Sequence, residues 1–157
     1  MKKASSFLIL SLIFLLSTNH SISKSPPALE LAVIVHKDNP IEKLSITEVR
    51  LYWMKRGTQK SWPGLKTTVL PVDRKGNIAE KTLFYKLVIK LSEAEVDSYF
   101  AAKQYQNSEP PPVKLNSDNE VIEYVANNKG AIGFVKASLL TDEIRSRVKQ
   151  LVTSISE

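Results

Sequence analysis

The order of apolar runs along the 157-residue chain constrains its fold more than any other feature. Residues 29–35 are a near-continuous apolar run, residues 67–72 a second β-rich run and residues 131–135 a third apolar run. A near-continuous apolar run of this length marks a strand buried on both faces. Residues 113–115 and 148–152 read as two further short strands. Between the strands lie helix-start signals: Ser45 with Glu48, Ser92 with Glu95 and Ser117 with Glu120 have capping-box spacing, and so does Asn77 with Glu80. Each start leads into apolar residues at helical spacing. Ile46, Val49, Leu51, Tyr52 and Trp53 form one stripe, Leu83, Phe84, Leu87 and Val88 another, and Val121, Ile122, Tyr124 and Val125 a third. Gly57 and Gly130 are helix stops, and residues 104–112, stiffened by Pro110-Pro111-Pro112, read as the one long loop. Strands alternating with helices predict a single α/β domain with a mostly parallel sheet flanked by helices.

The first residues follow a different pattern. Lys2 and Lys3 precede an apolar core at residues 7–16, and residues 18–25 are small and polar. That order is a secretory signal peptide. Ser21-Ile22-Ser23 places small residues before a cleavage point, so residues 1–23 are expected to be removed and residues 24–157 to form the mature domain. Crossing hydrocarbon takes ~20 apolar residues, and this core is about half that. The chain has no cysteine, so it has no disulfide, no thiolate metal site and no N-terminal thiol to lipidate. Export without disulfides points to a Gram-negative periplasm. After residue 23 the chain carries 20 basic and 16 acidic residues, a mild excess suited to an anionic ligand or headgroup. Nucleic acid is not expected as a partner, because export separates the chain from it and no basic run is interleaved with aromatics.

Several segments occur in a recognisable succession. A strand and Asn39-Pro40 precede Leu44-Ser45-Ile46-Thr47-Glu48-Val49-Arg50-Leu51-Tyr52. Lys55, Trp62, Pro71-Val72-Asp73-Arg74, Phe84 and Lys129-Gly130-Ala131-Ile132-Gly133-Phe134-Val135 follow. This succession resembles the second lobe of phosphate-type substrate-binding proteins of ABC transporters, and in particular small exported proteins made of that lobe alone. The resemblance implies a single lobe of a type 2 periplasmic-binding-protein-like fold. It also implies a ligand site at the turn after the second strand, where phosphate-binding members carry an arginine followed by a Gly-Ser-Gly-Thr-like run. Arg74 falls on that arginine. Asn77, Ile78, Ala79 and Glu80 stand in the four places of the run, so two hydroxyl donors are absent and a carboxylate is added. Such a carboxylate would repel an oxyanion unless it folds back to cap the helix.

The expected ligand-binding residues are therefore Arg74, Lys75, Gly76 and Asn77, just before a helix start where anions bind well; an ordinary solvated turn is the plainer alternative. No catalytic residue, metal or cofactor is expected. The hydrolase, zinc-protease and nucleotide-binding motifs are missing, and Glu93 and Glu95 suit a helix start. His36 follows a strand, where α/β folds place ligands, yet has no evident partner. Trp53 reads as core. Trp62, beside Pro63-Gly64, is either a lid on the core or part of an exposed patch with the proline loop. Two functions follow. One is a non-enzymatic, solute-binding-like protein taking phosphate or another small anion for an ABC transport or envelope system, its half-site left open or completed by a homodimer or a partner. The other is an envelope protein-interaction module that kept the fold and lost the ligand.

Overall fold

The computed structural model describes residues 28–156. The expected signal segment, residues 1–23, lies outside the described residues. Five strands form one sheet: β1 (Leu31–His36), β2 (Leu70–Arg74), β3 (Val113–Leu115), β4 (Ala131–Lys136) and β5 (Val148–Ile155), in the spatial order β3-β2-β4-β1-β5. Helices α1 (Ile46–Trp53), α2 (Ala79–Phe84), α3 (Glu93–Asn107), α4 (Asp118–Asn127) and α5 (Asp142–Arg145) connect them. The α/β reading holds, but the sheet is mixed. β2 runs parallel to β3 and β4, whereas β1 runs antiparallel to both β4 and β5. Central strands buried on both faces carry the same apolar run in either direction, so β1 gives no sign of its direction in sequence.

Alternation along the strands divides the core in two. Leu31, Val33, Val35, Ile132 and Phe134 face α1, α2 and α3, while Ala32, Ile34, Val72, Ala131 and Val135 face α4. On the first face Trp53 is fully buried and donates from Nε1 to the Val72 carbonyl at 3.0 Å. Phe84, Tyr85 and Phe100 meet it edge-on. On the second face α4 lies so close to β4 that a Cβ on Gly133 would sit 2.8 Å from Val121 Cγ1.

The helix starts fall near their expected places, with instructive departures. Ser45 and Ser92 each close a reciprocal capping box with Glu48 and Glu95. Ser117 accepts from the Glu120 amide, but the Glu120 carboxylate turns to the Asn116 amide at 2.9 Å. Asn77 does not cap α2. The residue before that helix is Ile78, which offers no side-chain acceptor. α2 continues into a wide turn, Tyr85–Ile89, which ends at Lys90 with φ of 56°. α3 extends to Asn107, into the expected loop, and α4 ends at Asn127 rather than Gly130. Gly130 serves close approach instead, since a Cβ there would meet the Thr68 carbonyl at 2.2 Å.

Candidate functional site: two ion networks at the end of β2

The C-terminal ends of the parallel strands β2, β3 and β4 lie on one edge of the sheet, joined there by the start of β1 and the end of β5. α2 leaves β2 over one face and α4 leaves β3 over the other. Two helix starts therefore flank this edge, an arrangement that places ligands in many open α/β sheets. Asp73 and Arg74, the last residues of β2, point to opposite faces and anchor two separate networks.

Asp73 is buried on the α1–α3 side and accepts from the Tyr85 hydroxyl at 2.9 Å. Lys81 Nζ lies 3.7 Å from the carboxylate and also binds Glu93. Lys114 joins from the edge strand, 3.3 Å from Glu93 and 3.1 Å from Asp97. Burial pushes the Asp73 carboxyl up, opposed by the Arg74 amide and Lys81. Burial, followed by the neighbouring Asp73 charge, also raises the Tyr85 hydroxyl. This network ties α2, α3 and β3 to the strand end.

Arg74, on the α4 side, is buried as well, only 6% exposed. Its Nη1 donates to Asp118, the first residue of α4, and its Nη2 to the Asn116 carbonyl at 3.2 Å. Its Nε is buried without a partner. Lys136, the last residue of β4, brings its Nζ to 2.9 Å from Glu80 Oε1 and 4.0 Å from Asp118 Oδ2. Two cations and two carboxylates thus form one cluster. Burial pushes the Asp118 carboxyl up, opposed chiefly by the Arg74 charge. Burial would also raise Glu80, but the Lys136 hydrogen bond and neighbouring donors outweigh it and hold the carboxyl low.

The four expected ligand residues therefore occupy two environments. Arg74 is enclosed, whereas Lys75, Gly76 and Asn77 form an exposed turn, with Gly76 at φ of 78°. The Lys75 amide is bound to the Leu115 carbonyl at 2.8 Å. Sequence reasoning missed Asp118 and Lys136. Asp118 looked like an ordinary acidic first-turn residue, and Lys136 simply ended an apolar strand. A parallel pairing of β2 with both β3 and β4 would have brought them to Arg74, but that pairing was not legible.

Two other candidates move away from this edge. β1 runs opposite to β4, so His36 lies at the far end of the sheet, where its Nδ1 accepts from the Asp38 amide at 3.1 Å. Trp62 is a lid on the core. It is 2% exposed, stacks on Tyr52 with centroids 4.4 Å apart and donates to the Gly130 carbonyl at 2.9 Å. The lid alternative therefore holds, and the exposed patch around Trp62 that a protein-interaction module would present there is absent. Neighbouring lysines are engaged too, with Glu109 held at 2.6 Å by Lys60, 3.2 Å by Lys103 and 3.9 Å by Lys55. Among the described residues no group of His, Cys, Asp and Glu has the geometry of a metal site.

No protein-family profile and no curated protein sequence matches the chain. Solved structures do. A protein from Clostridium perfringens with bound phosphate, assigned as a phosphate ABC transporter substrate-binding protein, superposes with a TM-score of 0.61 at 18% identity. The match covers 80% of this chain and 46% of that one. An ABC-type phosphate transport receptor from Vibrio cholerae gives 0.59 at 18% identity, over 79% and 47% of the two chains. A third structure, assigned as a phosphate-binding protein from Planctomyces limnophilus, gives 0.57 at 15%, over 80% and 42%. The chain spans less than half the length of each. Its fold is that of a single lobe of a phosphate-type periplasmic substrate-binding protein.

Proposed function

We propose that the protein is an exported, non-enzymatic module of the cell envelope that works through a protein partner, having kept a solute-binding fold without free capture of phosphate. The observation that carries this reading is the enclosed Arg74, whose guanidinium is neutralised by Asp118 and tied to the Asn116 carbonyl. A free oxyanion gains little from a cation that already has a buried carboxylate partner. The described residues form a single lobe, which acts in the same direction, because a half-site leaves one side of any ligand in water and weakens its electrostatics.

One observation favours a second reading, capture of phosphate or another small anion at Arg74, Lys75, Gly76 and Asn77 for an ABC transporter. Lys75 remains exposed beside Arg74, and the similar Clostridium perfringens protein holds phosphate. Calorimetric titration with phosphate, sulfate and small carboxylates separates the two. The interaction module predicts no saturable signal at millimolar anion, together with a specific cross-linked envelope partner in intact cells. Saturable binding that disappears in Arg74→Ala would replace it with the second reading.

A further inference from the structure

The Arg74 cluster has the charge and connectivity of an occupied anion site. Asp118 spans both cations, with Oδ1 on Arg74 Nη1 and Oδ2 4.0 Å from Lys136 Nζ. Glu80 completes Lys136 from the other side at 2.9 Å. A dibasic phosphate would bring the same two negative charges to the same two cations. One donor, Arg74 Nε, has no acceptor although the side chain is more than nine-tenths buried. The two carboxylates thus balance the charge but leave the Nε donor without an acceptor, and a tetrahedral oxyanion has acceptors to spare for it.

We propose that Glu80 and Asp118 act as a built-in substitute for a tetrahedral dianion, so that these two side chains are what make the lobe refuse phosphate. The inference rests on the reading that the native chain does not capture phosphate. It assigns the refusal to two residues: the surrounding cations, Arg74, Lys136 and the adjacent Lys75, are retained. Removing both carboxylate charges leaves the cluster strongly cationic beside the N-terminal amides of α4, a ten-residue helix, which add to its attraction for an anion.

The test is the pair Glu80→Gln and Asp118→Asn, which keeps side-chain size and one acceptor oxygen per residue while removing charge. Calorimetric titration of the mature double variant with inorganic phosphate is expected to show saturable binding, at least tenfold tighter than any binding by the parent. Adding Lys136→Ala should abolish it. Glu80→Gln alone, which acts beside the half-exposed Lys136 and does not uncover Arg74, should give a smaller gain. A folded double variant that shows no gain, or a gain that survives Lys136→Ala, overturns the proposal. If the double variant is partly unfolded, its folded fraction is measured in phosphate and in chloride of equal ionic strength. Recovery specific to phosphate supports the proposal, and equal behaviour overturns it. Saturable binding by the parent would defeat the interaction-module reading by itself, while the parent-to-variant difference would still decide the role of the carboxylates.

Discussion

Single residues mark where this lobe departs from a plain anion receptor. Glu80 accepts from its own backbone amide in the first turn of α2 and also reaches Lys136, and Asp118 takes the arginine that the resemblance reserved for a ligand. Trp62 shows the same preference for internal satisfaction: its indole N–H finds the Gly130 carbonyl beneath the basic loop. Trp62→Phe should therefore cost about 1–3 kcal/mol, because it leaves that acceptor buried without its donor; urea unfolding measures the loss. Glu109 carries a pH prediction. The Lys60 hydrogen bond, helped by Lys103 and opposed by burial, holds its carboxyl below the ordinary glutamate range. A depressed folded pKa contributes stability above the unfolded value, near pH ~4.3, that is lost as pH falls through the lower folded value. Wild type should exceed Glu109→Gln by about 1 kcal/mol at neutral pH, with the gap closing on acidification. A gap independent of pH in parallel thermal melts would contradict this account.

Elements were legible where their cause is local. The capping boxes at Ser45 and Ser92 need only residues three apart, and both form. The Asn77–Glu80 pair has the same spacing and fails, because α2 starts one residue later, with Ile78 at the cap and Glu80 at the second helical position, where it pairs with Lys136. Substitution separates the two cases. Ser92→Ala should cost about 1 kcal/mol, whereas Asn77→Ala should stay within about 0.5 kcal/mol of wild type; equal losses in denaturant midpoints would restore Asn77 as a cap. Helix packing adds a third case. Gly133 is needed for contact rather than conformation, since an added methyl meets Val121 at 2.8 Å. Gly133→Ala is expected to destabilise by roughly 1–3 kcal/mol as α4 is pushed off β4.

At the scale of the whole molecule, the described residues form a single lobe that matches less than half the length of the similar solved structures. The Arg74 cluster occupies the strand-end edge of this lobe with its own paired charges. Among the described residues no helix is long and apolar enough to cross a membrane. Export is read from residues 1–23 alone and makes a direct prediction. Fractionation of the producing cells should find the protein in the periplasm, with intact-mass measurement placing its first residue near Lys24. A cytoplasmic product retaining residues 1–23 would overturn both the compartment and the envelope role proposed for it.

By itself the sequence determined the five strands, the helix starts with contiguous capping chemistry, the split of apolar residues between helix faces, and the single-lobe resemblance. All of these follow from side-chain period, cap geometry and the order of segments over short stretches. Only the tertiary structure decided the direction of β1, the burial of Trp62, and the partners of Arg74, one of which lies 44 residues away. Strand pairing brings such residues together, and a strand buried on both faces carries nothing in its composition that states its direction or its neighbours. The turn at Arg74 was therefore visible as a place in the sequence, while the carboxylates that fill it became visible only once β2, β3 and β4 were side by side.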